Sequence, residues 1–161
     1  MTKKSYIIFS SIDWSTHWQI HHQLVNSIVL SGDKVLFVEN TGVRSPQIKD
    51  FGRILERVKA RLSSIHGFKD VESSVTVFTP VFIPYPYNKL SIFLNTLLIS
   101  RSIRRWIKVA KFYEPICISF LPTPAVQEII RNIDPSLKIY YCADDMSRSL
   151  FLFSLSFCVS L

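Results

Sequence analysis

The segment Asp13-Trp14-Ser15-Thr16-His17-Trp18 sets a carboxylate and an imidazole between two indoles, and His21 and His22 follow one helical turn later. A carboxylate and an imidazole this close can move a proton or hold a hydroxylated acceptor. Asp144-Asp145 is a second constellation. Paired carboxylates bind sugar hydroxyls, share a proton or hold a divalent cation. Each constellation also has a purely structural reading. Thr16 can cap a helix, the indoles can pack on a core, His21 and His22 can be solvent-facing helix residues, and Asp144-Asp145 can open a loop or cap a helix. His17 and His21 have the i, i+4 spacing of a metal pair. Zinc needs a third protein ligand with a supporting shell, and the chain has no His-Glu-x-x-His, so no metal site is expected.

The third constellation is cationic. Arg53, Arg57 and Arg61 recur every four residues, and Arg101, Arg104, Arg105, Lys108 and Lys111 crowd a later segment, with Tyr85, Tyr87 and Trp106 nearby in sequence. A cationic helix with aromatics can lie on anionic lipid, and an ordinary solvated face accounts for the same run. The formal net charge of +7 favours anionic partners in general. No zinc-ligand spacing and no RNP-type aromatic run accompanies it, so nucleic acid is not expected as a partner.

Absent motifs narrow the chemistry. Ser10 to Trp18 contains no glycine, so backbone cannot approach a pyrophosphate closely there. Neither Gly-x-Gly-x-x-Gly nor the Walker glycine-lysine pattern is present, which argues against a dinucleotide oxidoreductase or a P-loop enzyme. Without a Gly-x-Ser-x-Gly elbow or a full ligand set, a small hydrolase or metalloenzyme is the weakest reading.

The elements that must position these residues follow from hydrophobic spacing. Short apolar runs at 6–10, 35–38, 75–79, 116–120 and 138–142 read as strands, 6–10 as buried and 35–38 as covered on both faces. Thr16-x-x-Gln19 has the form of a capping box and predicts a helix start, with Ile20, Leu24, Val25, Ile28 and Val29 as its apolar face and Gly32 as its stop. Ser45-Pro46 opens a second helix with Ile48, Phe51, Leu55, Val58 and Leu62 at helical spacing, and Thr123-Pro124 opens another that Asp134-Pro135 closes. A long helix is expected over 90–112. The alternation predicts an α/β fold, a Rossmann-like parallel sheet of about five strands with helices on both faces. In such sheets ligands bind outside the carboxyl ends of the strands, which directs attention to 10–17, 40–44, 80–88, 121–123 and 143–145.

The chain of 161 residues, 48% hydrophobic, is long enough for one such domain, placed at 1–146. The remaining 147–161 is almost entirely Ser, Leu and Phe, uncharged after Arg148, and reads as the product of a truncated or frameshifted frame or as an apolar helix packing on the domain. Cys117, Cys142 and Cys158 are expected as buried, reduced thiols, which fits a reducing compartment. No apolar stretch reaches the roughly 18 residues of a membrane span. The expected location is the cytoplasm, with peripheral contact at the inner face of the plasma membrane through the basic helices.

Ser10-Ser11-Ile12-Asp13-Trp14-Ser15-Thr16-His17-Trp18-Gln19 and Val35-Leu36-Phe37-Val38-Glu39-Asn40-Thr41-Gly42-Val43-Arg44 resemble the start of bacterial GT-B glycosyltransferases of the family 4 or group 1 kind. Leu121-Pro122-Thr123-Pro124 and Tyr140-Tyr141-Cys142-Ala143-Asp144-Asp145 fit the same group, and the likeness spans roughly residues 5–146. The resemblance implies the N-terminal half of a two-domain enzyme making cell-envelope polysaccharide or a related glycan. This half would hold a glycan, lipid or small-molecule acceptor, while a C-terminal domain binds the nucleotide-sugar donor and no cofactor or metal is bound. It also implies that Asp13, His17 and Asp145 face the cleft and orient the acceptor hydroxyl or take its proton. Trp14, Trp18, His21, Asn40, Thr41, Gly42 and Asp144 would then contact the acceptor. Such enzymes often carry two glutamates eight positions apart in the donor domain, and Glu39, Glu56, Glu72, Glu114 and Glu128 show no such spacing. The chain by itself is therefore expected to have little or no transferase activity. The alternative is a non-catalytic Rossmann-like or flavodoxin-like binding module.

Overall fold

The structure is a computed structural model and describes residues 3–39, 67–80, 89–121 and 123–142. The expected helix after Pro46, the arginines at 53, 57 and 61, Tyr85, Tyr87, Asn40, Thr41, Gly42, Asp144, Asp145, Cys158 and the 147–161 tail lie outside them.

The described chain is α/β. Strands β1 (Ser5–Phe9), β2 (Lys34–Val38), β3 (Phe68–Glu72), β4 (Val75–Phe78), β5 (Ile116–Ser119) and β6 (Leu137–Tyr140) form one sheet in the order β3-β4-β2-β1-β5-β6. All neighbours are parallel except β3 and β4. Helix α1 (Ile20–Leu30) follows β1, α2 (Lys89–Ala110) precedes β5, and α3 (Pro124–Ile133) joins β5 to β6.

Continuous apolar strands arise because both faces of the sheet are covered. On one face Ile8, Val35, Phe37, Val77 and Ile118 pack under Val25 and Ile28 of α1. On the other, Ile7, Phe9, Leu36, Val38 and Phe78 pack under Ile99 and Ile103 of α2 and Val126, Ile129 and Ile130 of α3. Phe9, Phe37 and Phe78 are among the largest fully buried side chains. Truncating any one of them to alanine would cost about 3–5 kcal/mol.

Local signals set the helix ends. The Thr123 side chain accepts from the Val126 amide and Pro124 stands at the first turn of α3, while Asp134 closes it in a left-handed conformation at φ 55°. Gly32, at φ 84°, ends α1, and the Asp33 amide reaches back to the Ile28 carbonyl. Helix α2 stops two residues before the expected 112. Lys111 adopts φ 54°, and the Phe112 amide then bonds the Ile107 carbonyl at 3.0 Å while its ring enters the core.

The expected parallel sheet is present, and β3 adds to it a strand paired antiparallel with β4. Four further expectations are corrected. Helix α1 begins at Ile20, and Thr16 instead closes a turn, its amide and hydroxyl both donating to the Asp13 carbonyl. His21 and His22 are buried rather than solvent-facing, and Ile20, assigned to the apolar face, is 42% exposed. Cys117 is buried as expected, but Cys142 is exposed.

Candidate functional site

From β1 the chain leaves through α1 to β2 on one side, and from β5 it leaves through α3 to β6 on the other. The carboxyl ends of β1 and β5 are therefore the topological switch point of the sheet, the place where such sheets form a crevice. The β1–α1 loop, 10–19, lies at this rim.

Three anchors hold that loop. Ser10 is fully buried, its amide donating to the Val38 carbonyl at 2.9 Å and its hydroxyl accepting from the Ile12 amide at 3.1 Å. Glu39, the first residue after β2, accepts from the Trp14 amide at 2.9 Å through Oε1 and from the Thr79 hydroxyl at 2.6 Å through Oε2. One carboxylate thus joins the ends of β2 and β4 to the loop after β1. His22 supplies the third anchor. Its Nδ1 accepts from the Gln19 amide at 3.2 Å, and its Nε2 lies 3.0 Å from the Trp14 carbonyl. A carbonyl can only accept, so Nε2 carries the proton and Nδ1 does not.

The adjacent histidines diverge because successive helical residues point about 100° apart. His22 turns toward β2, where it stacks between Trp18 and Phe37 at centroid distances of 5.4 and 6.2 Å, with Trp14 at 5.0 Å. His21 turns toward β5 and lies 4.0 Å from Phe120, which in turn is 4.9 Å from Tyr141 beyond β6. His21 Nε2 is 3.1 Å from the Ser11 hydroxyl, and its buried Nδ1 has no hydrogen-bond partner among the described residues. Burial, with a smaller contribution from His22, pushes the His21 pKa down to about 4.

Of the residues expected at the site, Asp13 and Trp14 are half-buried in this loop, and His17 and Trp18 are exposed. Asp13, Trp14, His17, Trp18 and His21 thus belong to one loop and the helix turn after it. His21 is 5% exposed, too deep to be the acceptor contact that was expected of it. Asn40, Thr41, Gly42, Asp144 and Asp145 are outside the described residues, so the convergence expected of Asp145 with Asp13 and His17 is not in view.

Ser11, Glu39 and Thr79 were not anticipated. Glu39 had a signal: a carboxylate directly after the apolar run Val35–Val38 falls at a strand's carboxyl end. Ser11 and Thr79 had none beyond their place at strand ends.

Chemically, the loop offers a carboxylate, an imidazole, a serine hydroxyl and an exposed indole. Among the described residues no group of three or more His, Cys, Asp and Glu side chains could hold a metal ion. No family model, curated protein or solved structure matches the chain.

Proposed function

We propose that this chain is the acceptor-side half of a GT-B-type glycosyltransferase, an enzyme that moves a sugar from a nucleotide-sugar donor to a hydroxyl of a glycan, lipid or small molecule. The observation that carries the reading is the character of the switch-point loop. It has no glycine to cradle a pyrophosphate, and it is anchored by Glu39 and His22, with Asp13 half-buried and His17 and Trp18 exposed in the same loop. An anchored loop of this kind holds hydroxyl-binding groups in place before a ligand arrives, which is how positioning lowers a transfer barrier. Asp13 and His17 are the candidates to orient the acceptor hydroxyl or take its proton. Asp145 keeps the role the sequence resemblance implies for it, and the nucleotide-sugar is a substrate of the donor half rather than a bound cofactor.

The exposed stripe of α2 supports peripheral contact with a bilayer. Leu90, Phe93, Leu97 and Leu98 are exposed on its first turns, and Arg101, Arg104, Arg105 and Lys108 on its later ones. No helix among the described residues is long and apolar enough to cross a membrane.

Saturation-transfer NMR on the purified chain tests the main reading. The probes are the methyl glycosides of glucose, galactose and mannose, a short-chain lipid-linked sugar, NAD and ATP. Transfer to a glycosidic probe that disappears in Asp13→Ala supports it. Tight binding of NAD or ATP with no transfer to any glycosidic probe overturns it.

A further inference from the structure

We propose that Ser11 is a ligand-binding hydroxyl of the switch-point crevice, held by the buried His21 ring as a hydrogen-bond donor toward a ligand oxygen. The inference rests on the acceptor-side reading for the class of ligand, and on the Ser11–His21 geometry for the residue.

Two proton arrangements fit the 3.1 Å separation of Ser11 Oγ and His21 Nε2. In the first the serine donates to Nε2, which puts the ring proton on Nδ1. That atom is buried without a partner among the described residues. A buried N–H with nothing to donate to is rarer in folded proteins than an unused acceptor lone pair, and leaving it so costs free energy. In the second Nε2–H donates to the serine oxygen, and Nδ1 keeps only a bare lone pair against its surroundings. The second arrangement is the better one, and it frees the Ser11 proton to point away from the ring.

Ser11 is half-exposed and follows β1 at the switch point, so that proton is available to a ligand bound there. His21 cannot follow it there, being 5% exposed and packed 4.0 Å from Phe120. His21 is thus a positioning residue that acts through Ser11. With its Nε2 already protonated, it is not the base that takes the acceptor proton, which leaves that role to Asp13 or His17. Because the ring stays uncharged, the Ser11 donor is a neutral one, suited to a hydroxyl or ring oxygen of a sugar or other polyol.

The test combines binding with a tautomer measurement. Dissociation constants for the glycosidic probes above are compared in wild type, Ser11→Ala, Ser11→Thr and His21→Phe, with thermal unfolding of each, and the ring nitrogens of His21 are assigned by 15N NMR. Expected are an Nε2–H tautomer and, at a temperature where every variant is folded, about a fivefold rise in Kd for Ser11→Ala, the loss of one neutral hydrogen bond to the ligand, with a lowered Tm because the buried His21 N–H loses its acceptor. Ser11→Thr, which keeps the hydroxyl, should restore wild-type affinity. His21→Phe should weaken binding while Ser11 remains in place. An Nδ1–H tautomer overturns the inference whatever binds. Wild-type affinity in Ser11→Ala overturns it and leaves the acceptor-side reading standing. Absence of binding to every glycosidic probe by wild type overturns both.

Discussion

The backbone amide of Trp14 donates to Glu39 Oε1 at 2.9 Å, tying the loop after β1 to the residue that follows β2. The second carboxylate oxygen takes the Thr79 hydroxyl at 2.6 Å, so one side chain spans three strand ends. Removing it leaves a half-buried amide and a half-buried hydroxyl without their acceptor. Glu39→Ala should cost about 2–3 kcal/mol. Glu39→Gln should cost under about 1 kcal/mol, since its carbonyl can still accept from Trp14 and its amide can donate to the threonine oxygen. Urea unfolding of the two variants checks this. Equal losses would show that the charge, not the pair of bonds, is what matters.

His22 is fixed in one tautomer by its two partners, the Gln19 amide and the Trp14 carbonyl. Its 15N ring shifts should show a proton on Nε2 and a bare Nδ1 in the folded chain. His22→Phe keeps most of the stacking on Trp18 and Phe37 but strands the Trp14 carbonyl and the Gln19 amide. It should destabilise by about 1–3 kcal/mol. Because those bonds set the loop, it should also broaden the Asp13 and His17 amide resonances. A variant as stable as wild type with sharp loop signals would contradict this assignment.

His21 makes stability fall toward acid. Its pKa is about 4 in the folded chain and 6.5 when unfolded, so between these values the unfolded state binds the extra proton. Its contribution is complete above about pH 6.5, declines as pH falls through the window, and is lost below about pH 4. The difference is on the order of 3 kcal/mol. His21→Phe removes the titrating group, so the stability of wild type minus that of the variant should decline between pH 7 and pH 4. A difference that stays flat over this range would exclude burial of a neutral imidazole here.

The sheet was legible where both faces of a strand are covered, because apolar runs mark β1, β2, β4 and β5; the apolar run at 138–142 also located β6, although that edge strand is exposed along its length. Strand β3 was not. Its sequence, Phe68-Lys69-Asp70-Val71-Glu72, carries three charges because it is an edge strand with much of its surface in water. Its turn, Ser73-Ser74, lacks the Gly or Asn that marks a two-residue hairpin. The start of α1 was misplaced because Thr-x-x-Gln matches a capping box at 16–19, whereas the helix begins three residues later with Gln19 and His22 in that relationship. Composition cannot tell a solvent-facing histidine from a buried one, and only the packing against Phe120 and Phe37 shows that His21 and His22 face the sheet. The site was legible as a loop, through Asp13, Trp14, His17 and Trp18. Of its anchors, His22 is local, but Glu39 stands 25 positions from Trp14 and the Ser10 amide reaches Val38 across the sheet, distances that local patterns do not carry.

The stripe on α2 yields a measurable membrane prediction. Exposed Leu90, Phe93, Leu97 and Leu98 give an apolar surface, and exposed Arg101, Arg104, Arg105 and Lys108 continue the same helix face with positive charge. Attraction to anionic lipid is worth about 1 kcal/mol per basic residue near the surface. The chain should therefore sediment with vesicles of phosphatidylglycerol and phosphatidylcholine, and less with phosphatidylcholine alone. Replacing Arg101, Arg104 and Arg105 by glutamine should remove most of the difference, and added salt should weaken it. Phe93→Ser should lower binding to both vesicle types, since it removes buried apolar area rather than charge. Indifference to lipid charge would rule out the electrostatic part of the contact.

The two described cysteines should separate cleanly by reactivity. Cys117 is fully buried in β5, between the sheet and the helices α2 and α3, and burial pushes its thiol up to about 12 despite a small opposing effect of Lys138. The thiolate is the reactive form, so at pH 8 both access and ionisation protect this residue. Cys142 is exposed just beyond β6. Iodoacetamide applied to the native chain, followed by peptide mass mapping, should alkylate the peptide containing Cys142 and leave the one containing Cys117 unmodified. In denaturant both should react at similar rates. Because Cys117 opens only with the core, its slow native labelling should accelerate in step with any variant that destabilises the sheet, Phe37→Ala included. Fast native labelling of Cys117 would mean that β5 is not clamped between two covered faces, and the placement of the switch point beside it would fall with that packing.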